Sequence, residues 1–251
     1  LGLVAGVAAG VAIFLLTYKT ESQQTVTFEC LPWQAPTGGQ NCEKCNADPY
    51  QPCSEYRCKS LGQACQIINT GTNDEKCAWI DRKDVVAPII KPWKESLLKG
   101  FEYRPDNSIQ PPDAGVKVYN KDSTTGCVQA FTPLRFGLET NEPSQCKVDY
   151  NRRLAGKNSA DAQKIFDSMQ FFLGGSNLFE YNHTEILSLP GPTANVNGSP
   201  VLQNDGAYSL YVRCQDANGN ANLQSYVFNF CVNKGPDTTQ PLIVTTSILN
   251  N

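Results

Sequence analysis

Histidine is almost missing from this chain of 251 residues, with His183 its single representative. A histidine-rich metal site is thereby excluded, and any Ser/His or Cys/His mechanism would have to be assembled around that one ring. His183 sits in Tyr181-Asn182-His183-Thr184, inside a strand-like stretch, where a packed structural histidine is the plainer reading. Positive charge is scarce as well: 21 Lys and Arg stand against 24 Asp and Glu, for a net charge of −3. A nucleic-acid groove needs clustered cations that displace phosphate counterions, so no nucleic acid is expected as partner. Paired carboxylates, a Gly-rich phosphate loop and a His-containing zinc motif are missing too. No catalytic residue, metal or cofactor is assigned, and a non-enzymatic role is expected.

Cysteine, by contrast, is abundant. Of eleven, seven (Cys30, Cys42, Cys45, Cys53, Cys58, Cys65 and Cys77) fall within one short window. A local density above ~8–10% marks a disulfide scaffold, and such bridges persist only in an oxidising compartment. Cys42-x2-Cys45 with Cys53-x4-Cys58 also supplies enough thiolates for tetrahedral zinc. The short loop between the pairs and the segment preceding the module favour bridges. Seven is odd, so three bridges plus one leftover thiol can be drawn in about 105 ways, and the pairing stays open.

The preceding segment, Leu1 to Tyr18, contains no charged residue and no proline. As a helix rising ~1.5 Å per residue it would cover about 27 Å, near the ~30 Å of a bilayer core. A transmembrane signal anchor over residues 1–18, in contact with the lipid bilayer, is the first reading. A cleaved signal peptide is the second, but Thr17, Tyr18 and Lys19 stand where a small-x-small cleavage site would lie. Either way the remainder is expected outside the cytoplasm, as the extracellular bulk of a single-pass cell-membrane protein. A start without Met fits a processed chain or a fragment. Gly2, Gly6 and Gly10 repeat the G-x-x-x-G spacing that lets helices pair, a route to a homo-oligomer, although a Gly/Ala/Val-rich segment also produces it by chance.

Residues 19–83 read as a small disulfide module. It is rich in turn formers and poor in aliphatic residues, so it cannot bury enough apolar area without covalent help. Asp84-Val-Val-Ala-Pro88-Ile-Ile and Asp237-Thr-Thr-Gln-Pro241-Leu-Ile share the form Asp-x3-Pro-apolar-Ile. Residues 84–235 are therefore read as one β-domain, and 236–251 as a linker and the start of a further repeat. Leu134, Phe136 and Leu138 alternate with polar or small residues and predict a half-buried strand. Asn141-Glu142-Pro143 predicts a turn, after which Cys146, Val148 and Tyr150 share a face. Ser159 to Ser168 predicts a short helix capped by Ser159. Met169 to Leu173 and Leu178 to Leu189 are strand candidates. Tyr208 to Cys214 and Tyr226 to Val232 predict a hairpin. If Leu210 and Val212 share the core face with Tyr226 and Phe228, its pairing must centre on Gly219 with an odd-numbered loop.

Asn141-Glu-Pro-Ser-Gln-Cys146, Met169, His183-Thr184, Asp205-Gly-Ala-Tyr208 and Tyr211-Val-Arg-Cys214-Gln-Asp-Ala-Asn-Gly-Asn220 together resemble the immunoglobulin-like, fibronectin-III-like repeats of prokaryotic, archaeal-type cell-surface proteins. The resemblance covers about Asp84 to Gly235 and is strongest after Ala130. It implies a mainly β chain: an immunoglobulin-like β-sandwich preceded by the disulfide module and the transmembrane helix. Asp205-Gly-x-Tyr208 resembles a tyrosine corner. The resemblance further places Cys146 on a strand beside that of Cys214 and implies a bridge between them. Cys127 and Cys231 would then close the ends of the domain, a large ring contributing on the order of 4–5 kcal/mol. Two reduced core cysteines are the alternative. Ser159 to Asn182 and Lys91 to Gly126 are longer than a compact repeat requires.

Asp216-x-Asn218-x-Asn220 has the alternating oxygens that open a calcium loop, but Ala221 and Val227 stand where Gly and Glu belong, and a hairpin turn explains the same residues. Asn182-His-Thr and Asn197-Gly-Ser match glycosylation acceptors. The leading function is a membrane-anchored extracellular surface protein with a structural stalk or adhesive role and an unidentified ligand. A pilin-like filament subunit with an apolar N-terminal helix is the second reading, and the accessory domains of a larger surface enzyme the third.

Overall fold

The computed structural model describes residues 2–19, 24–29, 32–48, 50–188 and 206–235. It divides into two compact units between Gln34 and Ala35.

The first unit contains helix α1 (Gly2–Thr17). The Thr17 hydroxyl donates back to the Ile13 carbonyl at 2.7 Å, and the Tyr18 N–H donates to the Phe14 carbonyl, closing the last turn. Sixteen residues rise only about 24 Å. No helix among the described residues is long and apolar enough to cross a membrane, so the transmembrane helix expected over residues 1–18 is not shown. A Cβ added at Gly2, Gly6 or Gly10 would meet nothing within 4 Å.

In the second unit the cysteine-rich part comes first. Helix α2 (Glu55–Ser60) starts where the Ser54 side chain accepts from the Arg57 N–H. Strands β1 (Cys65–Ile68) and β2 (Lys76–Trp79) pair antiparallel. Three bridges, Cys42–Cys65, Cys45–Cys53 and Cys58–Cys77, hold these pieces, and Cys30 lies outside the described residues. The core here is largely sulfur: Cys42, Cys45, Cys58, Cys65 and Cys77 are buried together, with Leu61 and Ile67 against them.

The larger part is β3 (Ile90–Pro92), β4 (Phe101–Pro105), β5 (Ala114–Asn120), β6 (Val128–Gln129), β7 (Pro133–Asp149), helix α3 (Ser159–Ser168), β8 (Phe171–Phe172), β9 (Glu180–Ser188), β10 (Gly206–Asp216) and β11 (Tyr226–Asn233). The protein is mainly β, as expected, but the two facing sheets of a sandwich are not what forms. All nine of these strands belong to one barrel-like sheet, in the order β3-β7-β10-β11-β5-β4, with β6 on β11 and β8 and β9 on β7. The physical reason lies in β7. Asn141-Glu-Pro143 does not turn the chain; the strand runs through it, with a shift of register between Glu139 and Ser144. Proline lacks the N–H a ladder needs, so it is tolerated at such an irregularity. The first half of β7 pairs with β9 and β3, the second with β10 and β8, so one strand carries hydrogen bonding across what would otherwise be two sheets.

Tyr103 on β4 helps close this sheet. Its hydroxyl donates to the Gly137 carbonyl and accepts from the Gly137 N–H, each at 2.9 Å. Gly137 is glycine for a steric reason: a Cβ there would overlap the His183 carbonyl and the Ser96 side chain. The apolar core draws on both halves of β7, with Leu134, Phe136, Leu138 and Val148 against Leu210, Val212, Phe228 and Phe230.

The hairpin register is the one the aromatic faces demand. Leu210 pairs with Phe228 and Val212 with Tyr226, so the ladder centres on Gly219, which adopts φ 92°. Cys146 and Cys214 face each other across β7 and β10 and are bonded, and Cys127 is bonded to Cys231. Helix α3 occupies the expected residues, but its cap is Asn158, whose side chain accepts from the Asp161 N–H, not Ser159. Tyr208 stacks on Phe230 at 5.4 Å, while Asp205 lies outside the described residues. So does the Asp237–Ile243 repeat.

Candidate functional site

Every described cysteine is in a bridge, so none offers a free thiolate. The sulfurs of Cys42, Cys65 and Cys77, and those of Cys45, Cys53 and Cys77, gather within 4.8 Å because the bridges stack, and the zinc reading of this spacing fails for that reason. His183 is buried at 2% exposure, with Nε2 3.2 Å from the Glu180 carbonyl. Burial holds its pKa below the ordinary value, so it is a neutral ring tied to the backbone. On β9 the alternation that buries His183 leaves Asn182 exposed. That is the orientation an N-linked glycan on Asn182 needs. Asn197 lies outside the described residues.

The one described group of carboxylates is Asp84, Glu142 and Asp216, whose oxygens lie within 4.8 Å of one another. Three separate segments bring them together: the lead-in from the cysteine-rich part, the bend of β7 and the hairpin loop after β10. The loop is built around Asp216, which is 2% exposed. Its Oδ1 accepts from the N–H groups of Asn218 and Asn220, each at 2.8 Å, and its Oδ2 from the Asn220 side-chain amide at 2.7 Å. This Asx-type arrangement is the turn expected of Asp216-x-Asn218-x-Asn220.

Side chains two residues apart point the same way along the loop and reach the lead-in. The amides of Asn218, Asn220 and Asn222 donate to the carbonyls of Asp81, Asp84 and Pro88, at 2.7, 3.0 and 2.7 Å. From the β7 side, Asn141 Oδ1 accepts from the Ile89 N–H at 2.6 Å. Four asparagines thus fasten residues 81–89. Sequence reasoning singled out Asp216, Asn218 and Asn220, but missed Asp84, Glu142, Asn141 and Asn222. The period-two asparagines were the available signal.

Carboxylates this close repel unless the charge is neutralised. Desolvation first, then the charges of Asp216 and Asp84 and a side-chain hydrogen bond with Asp84, push the Glu142 pKa up to about 7.

A second polar feature is a cleft of about 210 Å³ whose lining includes Ser108, Gln110, Asp113, Arg152, Tyr211 and Asn229. Arg152 Nε donates to the buried Asp113 Oδ2 at 2.7 Å. Asp113 Oδ1 in turn accepts from the Ser225 N–H at 3.0 Å. Beneath lies Arg213, fully buried, which donates to the Ser225 hydroxyl and to the carbonyls of Arg153 and Leu154. These contacts fasten the loop after β7 to the sheet. No protein-family model and no curated protein matches the sequence.

Proposed function

We propose that this is a non-enzymatic protein of the cell exterior, a disulfide-stapled β module serving as a stalk or binding element at the surface. The observation that carries the reading is covalent: five bridges account for ten of the eleven cysteines. A cytosol would keep such thiols reduced. The resemblance of residues 84–235 to immunoglobulin-like surface repeats and the exposed Asn182 acceptor support the same location. The apolar helix α1 holds the chain at the membrane, and the loops and edges of the sheet meet the extracellular ligand. Labelling intact cells with a membrane-impermeant amine reagent tests this: the lysines of residues 83–235 react without lysis. Protein that reacts only after lysis would remove the proposal.

A second reading, a filament subunit, is favoured by one observation. Helix α1 is apolar and carries no charged residue on any side, which suits packing against copies of itself.

A further inference from the structure

The carboxylate cluster lies where the cysteine-rich part is fastened to the sheet, and that position gives it a consequence. Residues 81–90 make up most of the connection between β2 and β3 and enter β3 at Ile90. They are held by polar contacts: the three asparagine amides of the hairpin loop, the Asn141 side chain, and the pairing of Ile90 with Thr140. Within the segment, Val86 N–H donates to Asp84 Oδ1 at 2.8 Å, so the carboxylate at the cluster also shapes the turn. Around it the segment shows mostly exposed side chains, among them Val85, Val86 and Ile89. Its apolar burial lies toward the end, where Pro88 is buried and Ile90 packs against the core of the sheet.

We propose that Asp84, Glu142 and Asp216, whose carboxylate oxygens lie within 4.8 Å of one another, form a proton-dependent latch: with Glu142 protonated, residues 81–90 stay against the hairpin loop, and loss of that proton to solvent as pH rises loosens that segment. Three segments face Glu142. The lead-in contributes Asp84, the end of β10 Asp216, and β9 contributes Tyr181, whose phenol burial pushes up first and the charges of Glu43 and Glu142 after it. Asn141 on its own strand donates to it. The charges of Asp216 and Asp84 both oppose its ionisation, which would set three like charges within 4.8 Å of one another.

The direction follows from linkage. The Glu142 pKa lies above its ordinary value of 4.5, at about 7. Between those two values the closed state binds more protons than the open one. Closure is therefore fully favoured at the acid end of the window and weakens as pH climbs through it, with little further change above.

Amide hydrogen exchange on the full chain reads this out at Val86 and Ile89, after correction for the intrinsic pH dependence of exchange. Between about pH 5 and pH 8.5 protection at both amides should fall about tenfold or more, the scale of one pKa unit or beyond. Amides in β11 should keep theirs. In Glu142→Gln, whose amide imitates the protonated carboxyl, protection should be high and flat with pH. Asp84→Asn should flatten the profile independently, which covers the case of a Glu142 variant that fails to fold. Wild type and both variants losing protection in parallel would overturn the latch. So would calcium chloride alone restoring protection at pH 8.5 in wild type but not in Glu142→Gln, since the neutraliser would then be a cation.

Discussion

Two regions of the second unit solve the same problem by different means. The cysteine-rich part, Ala35 to about Ile80, surrounds a core of five buried cysteines with only two partly buried aliphatic neighbours. The sheet from Ile90 onward buries Leu134, Phe136, Leu138, Leu210, Phe228 and Phe230 against one another and uses its two bridges as an addition. A short polar segment cannot offset the entropy of ordering its chain by apolar burial, so cross-links that restrict the unfolded state must do so. A long alternating segment can. Where the two meet, the contact is small: Ile68, Ala78 and Ile80 pack with Phe179, and Asn69 imitates a strand partner. Its amide donates to the Phe179 carbonyl at 3.2 Å and accepts from the Phe179 N–H at 2.7 Å.

The comparison breaks most visibly at Phe228. Its side chain is fully buried, with ring centroids of Phe136, Tyr226 and Tyr103 at 4.8, 5.3 and 5.9 Å. Phe228→Ala should cost about 3–5 kcal/mol. Urea unfolding followed by circular dichroism should show the loss in the sheet, while the three N-terminal bridges keep their part resistant to protease. A smaller effect sharpens the boundary. Asn69→Ala removes both hydrogen bonds to Phe179 and should cost about 1–2 kcal/mol locally. Faster amide exchange at Phe179 with an unchanged sheet core would show that the two regions are stabilised separately. Equal acceleration throughout would show a single cooperative body.

Much of the architecture was legible wherever a face had to be buried. The hairpin is the clearest case: putting Leu210, Val212, Tyr226 and Phe228 on one face leaves only a register centred on Gly219. The course of β7 was not legible. Asn141-Glu-Pro143 has turn residues, and nothing local distinguishes a reversal from a bend that lets one strand serve two sets of partners. The merging of two expected sheets into one follows from that single bend. For helix α1 composition fixed the apolarity but not the residue, Thr17, at which the helix ends. The carboxylate cluster was invisible for another reason. Asp84, Glu142 and Asp216 lie far apart in the chain and are joined only by tertiary structure, and the asparagines that fasten them read equally well as ordinary turn formers.

Ten cysteines in five bridges hold this fold together, so peptide mapping of native protein under non-reducing conditions is the most direct measurement. The predicted result is five cross-linked peptide pairs, Cys42–Cys65, Cys45–Cys53, Cys58–Cys77, Cys127–Cys231 and Cys146–Cys214. Native, folded protein in which these ten side chains are recovered as free thiols would contradict it.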